Sequence, residues 1–579
     1  MAEYLSPGVY VEEFESGGKP MEAVGTSTAG FIGLAERGPV EGVPQLITNF
    51  SDFRRTYGGY LSENEFGEYR FLAYAVEHFF VNGGSRCFVA RVAPKNAKCA
   101  EGTARSGDTV IVRFSAKNPG AWGDDVRVMI TPASKAKTQI LEIIEGDGDK
   151  KYKVKNGAGF NPGDVVAYTD KSGVVYNQVV KNQDNVITFK EAFAEDVVDR
   201  NLLPAKTVST CEINVEVKYN DLVELYENVS FNIDASNYIE KKTAKSDLIV
   251  ARYIGKDRSA APFNSLLAEG ADSVGVVTVS LSGGSNGSVA AISAADFIGV
   301  DNGAGKRTGI QAFVDNDVVS IMAVPGVTDP NVQLTLVAHC ENLASRFAVL
   351  DVPKDAKKVQ DVIAHRDIFD TNYGALYHPW LTIFDPLDKK NIAIPPSGSM
   401  MGIYARSDNT RGVHKAPANE VVRACVGLDC QFNKGEQDIL NPKGVNLIRS
   451  FPGQGIRVWG ARTAGSNPSW KYVNVRRLFI FIEETIKANT SWAVFEPNDE
   501  PLWVRVRRTI SVFLNGLWRN GSLAGSSPEE AFFVNIGRDT MSQDDIDNGR
   551  LICVIGVAPV KPAEFVIFRI SQKTNESAE

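Results

Sequence analysis

The run Gly303-Ala304-Gly305-Lys306-Arg307-Thr308 has the glycines and the lysine of a phosphate-cradling loop, in which backbone N–H groups and an ammonium meet the phosphates. Two parts of that chemistry are missing. Val300 stands where the first glycine belongs, and Arg307 replaces the hydroxyl residue that would reach a magnesium ion. Ser282-Gly283-Gly284-Ser285-Asn286-Gly287 is equally glycine-rich and reads as a surface loop. Cys425 and Cys430 have no second pair at ligand spacing and His339 beside Cys340 stands alone, so a tetrahedral zinc site lacks ligands. The histidines at 78, 339, 365, 378 and 414 show no HExxH spacing, and neither a nucleophile elbow nor a Cys/His signature occurs. The residues therefore predict no catalytic group, no cofactor and no metal, and the chain is not expected to be an enzyme.

Composition narrows the remaining classes. A net charge of −8 lacks the positive field that draws a protein to nucleic acid or anionic lipid. No window approaches 18 uninterrupted apolar residues, and the start, Met1-Ala2-Glu3-Tyr4, has no cationic stretch leading into an apolar one, so a chain made in the cytosol that spans no membrane is expected. Seven scattered cysteines read as reduced, mostly buried thiols. At 579 residues the chain exceeds the size at which one hydrophobic core stops growing, so two to four domains are expected.

The elements that must position any function alternate along the chain. Val9-Tyr10-Val11-Glu12-Glu13-Phe14 is a short β-prone run set off by Ser16-Gly17-Gly18-Lys19-Pro20, and a lone strand must pair elsewhere. Ala29 to Leu34 predicts a buried strand, Glu68 to Val81 a helix, and Arg86 to Val92 another strand. From about Pro94 to Ser246 short β-prone runs cut by Gly, Asp and Asn predict an all-β insertion with polar turns. The α/β pattern then returns: a strand over Val318–Val324, a helix over Val332–Leu343 and a strand over Arg346–Val352 predict a crossover unit. Helices over Val473–Ala488 and about Val504–Trp518, a strand over Leu551–Val557 and a last strand over Glu564–Ile570 complete the chain. The fold class expected is multidomain mixed α/β: a discontinuous core, an inserted all-β peripheral domain and extended strand-like arms at both ends.

Several segments carry a resemblance. Tyr4-Leu5-Ser6-Pro7-Gly8-Val9-Tyr10-Val11-Glu12-Glu13 is followed by Gly25 to Gly33 with Arg37-Gly38-Pro39, then Phe79 to Gly84 with Cys87 to Val92, and Asn118-Pro119-Gly120-Ala121-Trp122-Gly123-Asp124-Asp125. The last third adds Gly444-Val445-Asn446, Arg457-Val458-Trp459-Gly460-Ala461-Arg462-Thr463, Asn474-Val475-Arg476-Arg477 and Trp518 to Gly525. In this order they resemble the contractile tail sheath proteins of myovirus-type phages, phage-tail-like bacteriocins and extracellular injection systems.

That resemblance implies a helical homopolymer of stacked hexameric rings around an inner tail tube, which contracts to drive the tube through a target cell envelope. It also implies baseplate and tail terminator or cap proteins as partners, no nucleic acid, and assembly in the bacterial cytoplasm into a virion tail or tail-like particle. Its domains would be a first arm over 1–20, core over 21–95, the peripheral insertion over 96–245, an α/β sheath domain over 246–365, an inner domain contacting the tube over 366–562, and a second arm over 563–579. Val9, Tyr10, Val11, Glu12 and Phe14, with Phe565, Val566, Ile567, Phe568 and Ile570, are then the strands given to neighbouring copies. Arg505, Arg507 and Arg508 are the candidate tube contacts, with Arg476 and Arg477 as secondary ones. The alternative is a static tail or baseplate component of the same kind of particle.

Overall fold

The computed structural model describes residues 21–567 except 107, 145–149, 171–172, 194–206 and 256–274, together with 569. Of the expected arms, Val9, Tyr10, Val11, Glu12, Phe14, Phe568 and Ile570 lie outside the described residues.

An eight-stranded sheet organises the core. Its strands are β1 (Ala29–Leu34), β2 (Gln45–Ile47), β3 (Cys87–Val92), β4 (Ile321–Ala323), β5 (Phe347–Asp351), β6 (Gly374–His378), β7 (Val445–Phe451) and β8 (Gly455–Val458), in the spatial order β2-β3-β1-β4-β5-β6-β7-β8. The six central strands run parallel, with Ala29 opposite both Cys87 and Ile321, and the two edge strands are antiparallel. Parallel strands buried on both faces read as unbroken apolar runs, which is why Ala29-Gly30-Phe31-Ile32-Gly33-Leu34 shows no polar alternation. Phe31 belongs to one core, with helices α1 (Phe50–Tyr57) and α2 (Leu72–Asn82); Ile32 and Leu34 belong to the other, with Leu336 and Cys340 of α3 (Pro330–Leu343).

Helix α4 (Ser397–Arg411) packs on α2 at a separation that only glycine permits. A Cβ at Gly398 would lie 2.3 Å from the Ala75 carbonyl oxygen, and one at Gly402 would lie 2.4 Å from that of Phe79. Two glycines four apart share one helical face, so together they admit the neighbouring backbone.

The insertion contains three sheets. Six strands between Lys137 and Thr210 close a barrel filled by Ile140, Tyr152, Phe160, Tyr168, Phe189 and Phe193. Arg127–Ala133, Glu212–Tyr219, Leu222–Val229 and Val277–Ser280 form a four-stranded sheet, and Glu101–Ser106, Thr109–Ala116 and Ile249–Tyr253 a three-stranded one. The β-rich unit thus runs to Ser280 and does not end at 245. Val277 pairs with Ile130 across the chain, and pairing of this kind, not local composition, sets the boundary. At its junction with the core, Arg91 donates to the carbonyls of Ala35, Gly38 and Pro119 at 3.0, 2.8 and 2.8 Å, drawing three separate motifs together. The Arg37 guanidinium lies 4.8 Å from the Tyr219 ring at the same place.

The last unit holds α5 (Val473–Asn489), α6 (Glu500–Arg519), β9 (Phe532–Ile536) and β10 (Cys553–Val557) around a separate core of Leu478, Ile482, Leu502, Val506, Ile510, Leu514, Val534 and Ile536. The strand expected over Glu564–Ile570 is not formed up to residue 567, because among the described residues no strand lies beside that stretch.

Candidate functional site

Strands β9 and β10 pair antiparallel from Phe532 opposite Val557 to Ile536 opposite Cys553, and among the described residues no third strand joins them. A two-stranded ribbon is marginal alone, so its packing on α6 carries it. Val534 and Ile536 turn inward onto that helix while Phe533 and Val554 stay about half exposed. Both outer edges therefore present backbone groups without a strand partner, next to apolar side chains.

Helix α5 supports the roots of both arms. Seventeen residues give it a length of about 25 Å. At its C-terminal end Asn489 exchanges two hydrogen bonds with the Glu22 backbone, 3.0 and 2.9 Å, and the Thr485 hydroxyl accepts from the Val24 amide at 3.3 Å. On the same helix Arg477 donates to the Thr26 carbonyl at 2.8 Å and to both carboxylate oxygens of Asp408 at 3.0 and 2.6 Å. Both side chains of this ion pair are almost fully buried. Burial opposes the charge on Arg477, but the Asp408 carboxylate outweighs it and raises the guanidinium above its ordinary range.

At the N-terminal end of α5 the chain leading to the second arm is gripped through one side chain. Glu564 Oε1 accepts from Arg462 Nε at 2.7 Å and Asn441 Nδ2 at 2.9 Å; Oε2 accepts from Arg462 Nη2 at 2.7 Å and the Tyr472 hydroxyl at 3.1 Å. The Lys471 ammonium stands 3.5 Å away. Burial works against the charged form, yet these donors, Arg462 above all, hold the carboxyl at about 2. A depressed carboxylate stabilises the fold above its ordinary titration range and loses that effect as pH falls through about 2, so the grip is intact at neutral and mildly acidic pH. Directly beyond it Phe565, Val566 and Ile567 are 72%, 70% and 78% exposed.

The candidate tube residues do not form one patch. Successive helical residues point about 100° apart, so neighbours in sequence face different ways. Arg505 pairs with Glu496 at 2.8 Å and lies over the Trp492 ring. Arg507 donates to the Ile536 carbonyl of its own hairpin. Arg508 alone is exposed and without a partner among the described residues, flanked one turn either way by exposed Val504 and Val512. Arg476 and Arg477 are removed from the candidates: Arg476 is buried 3.5 Å over Trp470 and 4.5 Å over Tyr373, and Arg477 is the buried partner of Asp408.

The phosphate-loop look-alike is framed by acid. Arg307 pairs with Asp301 at 2.8 Å and with Asp315, so its charge is already met by two carboxylates of the chain. Cys430 Sγ lies 3.8 Å from His378 Nε2, and burial pushes its thiol up to about 11.

Sequence reading overlooked β9 and the Arg462–Glu564 pair. The apolar run Phe532-Phe533-Val534, bounded by Pro528 and Gly537, was a usable signal for the first. No local signal joins two residues 102 apart.

Two family models match end to end: the phage tail sheath protein central domain over 301–464 and the phage tail sheath C-terminal domain over 465–573. The tail sheath protein of Escherichia phage P2 is 24% identical over 286 residues, covering 47% of this chain and 69% of that one. The sheath of an extracellular contractile injection system, PVC, in its contracted state shares the fold over the whole of both chains, with TM-score 0.52 and 22% identity. The sheath tail protein of Listeria innocua does so over 93% of this chain and 97% of its own, with TM-score 0.53 and 10% identity. The matched domains, in their order, cover the ribbon, both ends of α5 and the Glu564 grip, and the chain belongs to the phage tail sheath family.

Proposed function

We propose that this chain polymerises as stacked hexameric rings around an inner tail tube and contracts to drive the tube through a target cell envelope. The observation that carries the reading is the β9-β10 ribbon, whose two edges have no strand partner among the described residues, in a chain whose residues 565–567 are apolar, β-prone and exposed. Strand addition suits such a pair: the run Phe565 to Ile570 from one copy, and Val9 to Phe14 from another, would turn the ribbon into a four-stranded sheet. About five backbone hydrogen bonds at a net ~0.5–1.5 kcal/mol each give roughly 2–8 kcal/mol per junction before ordering costs. Repeated along a polymer, such junctions keep rings linked while rigid subunits rotate into a tighter lattice, a step that needs no nucleotide.

The face of α6 formed by Val504, Arg508 and Val512 is the proposed tube contact, an apolar strip with a cation that has no partner among the described residues, suited to an acidic, partly apolar surface. Arg505 and Arg507 hold the elements beside this face, one by pairing with the α5–α6 loop and the other by bonding to the ribbon. Baseplate and terminator proteins would cap the polymer, which assembles in the bacterial cytoplasm.

Negative-stain microscopy of the purified chain mixed with tubes of its own particle tests the reading: striated cylinders around tubes are expected. Arg508→Glu should leave striated cylinders but coat roughly tenfold fewer tubes, the order expected from losing one close charge pair. Discrete monomers from the unaltered chain, or full coating by the variant, would count against the two parts respectively.

A further inference from the structure

We propose that Glu564 is the positioning residue of the C-terminal arm: its carboxylate, gripped by Arg462, Asn441 and Tyr472, fixes the point and direction in which the arm leaves the subunit. The inference rests on the strand-addition reading above and assigns one residue the task of aiming the strand.

The geometry is that of a single-point tether. From Lys561 to Ile567 no backbone N–H or C=O makes a hydrogen bond within the described residues, and Lys561, Ala563 and Phe565 are exposed. Upstream, the last backbone ties are Ala524 to Ala558 at 2.8 Å and Val560 to Ser522 at 3.5 Å. Between that point and the arm, among the described residues, only the Glu564 side chain makes hydrogen bonds to the body. Both of its oxygens are filled, and the two parallel bonds from Arg462 fix orientation as well as position.

Arg462 is itself held. Its amide donates to Asn446 Oδ1 at 2.7 Å, its carbonyl accepts from Asn446 Nδ2 at 2.8 Å, and its Nη1 donates to the Asn441 carbonyl at 3.1 Å. Tyr472 directly precedes α5, so the tether point is fixed relative to the helix that also carries the first arm's root.

A tether of this kind does two things for a polymer. It removes slack: without it four more residues, 561–564, join the free arm and add up to about 13 Å of reach. A shorter free arm searches a smaller volume and has less to order on pairing, which raises its effective concentration at the acceptor. It also leaves a pivot, because the residues on either side are unpaired, so the arm can swing as subunits rotate while its root stays in place.

The test uses the full chain with Glu564→Ala, Arg462→Ala and the double variant. Glu564→Ala is expected to lower the melting temperature of the monomer by a few degrees while leaving it folded at the temperature of assembly, to be cut faster by protease after Val560, and to need roughly tenfold higher concentration to assemble. The double variant should be no worse than the worse single one, the mark of two residues acting as one pair. The charge exchange Glu564→Arg with Arg462→Glu should recover part of the assembly. Normal assembly by Glu564→Ala overturns the inference, and so does a loss of melting temperature that accounts for the assembly defect, since that is a merely structural role. Deletion of residues 566–579 separates this from the reading beneath it. If the deletion leaves assembly intact, strand addition itself fails; if the deletion abolishes assembly and Glu564→Ala does not, only the positioning role fails.

Discussion

A chain lacking residues 566–579 is expected to fold normally and to remain a monomer at concentrations where the full chain forms cylinders. In the single subunit Val566 and Ile567, the first residues removed, are 70% and 78% exposed and contribute almost nothing to any core. Their removal therefore costs the fold little, and the melting temperature should stay within a degree or two of the full chain. Assembly is another matter. Each lost strand removes the roughly 2–8 kcal/mol of backbone pairing at a junction, and a polymer needs that junction at every copy. A few kcal/mol per contact is two to five orders of magnitude in an equilibrium constant, enough to move assembly from complete to undetectable. Sedimentation velocity on both proteins reads this directly. Cylinders formed by the shortened chain would show that the ribbon's open edges are filled by something else.

Replacing Arg477 by alanine is expected to destabilise the fold by ~3–5 kcal/mol. Its partner Asp408 is only 4% exposed, so the substitution leaves a carboxylate buried without its counter-charge. The Thr26 hydroxyl still reaches Asp408 at 2.7 Å, but one hydroxyl does not replace a bidentate guanidinium. The loss is large beside the net stability of a folded domain, about 5–15 kcal/mol. The same change also frees the Thr26 carbonyl and loosens the root of the first arm. Exchanging both residues for apolar ones of similar volume, Arg477→Met with Asp408→Leu, should cost far less than either single change, because no charge is then stranded. Urea unfolding of the three variants checks the order. Equal losses in single and double variants would mean that packing around Tyr404, whose ring lies 4.6 Å under the guanidinium, outweighs the ion pair.

Much of the core was legible because apolar periodicity reports burial. The strand over Ala29–Leu34 and the helix beginning at Val473 lie where their runs predict, and the crossover unit appears as β4, α3 and β5, with both strands shorter than expected and the helix starting two residues earlier. What periodicity does not carry is pairing. Nothing local to Val277 says that it sits beside Ile130, so the insertion's far boundary was misplaced by about one strand pair. Charge type was misleading for a similar reason. Arg476, Arg477, Arg505, Arg507 and Arg508 look alike in sequence, yet two are buried, one holds the ribbon, one holds a loop, and only Arg508 is free among the described residues. The grip on Glu564 was illegible because its donors come from three places, 441, 462 and 472, that meet only after the inner domain has folded.

The central claim is that the tail of one copy pairs with the ribbon of another, and photo-crosslinking tests it most directly. Assembled particles carrying p-benzoylphenylalanine in place of Phe565, built from a mixture of isotope-labelled and unlabelled subunits, are irradiated and the joined peptides identified by mass. Peptides linking position 565 to 532–536 or 553–557, with one partner labelled and the other not, are the predicted result. Links that only ever join peptides of the same label, or that fall away from the ribbon, would contradict it.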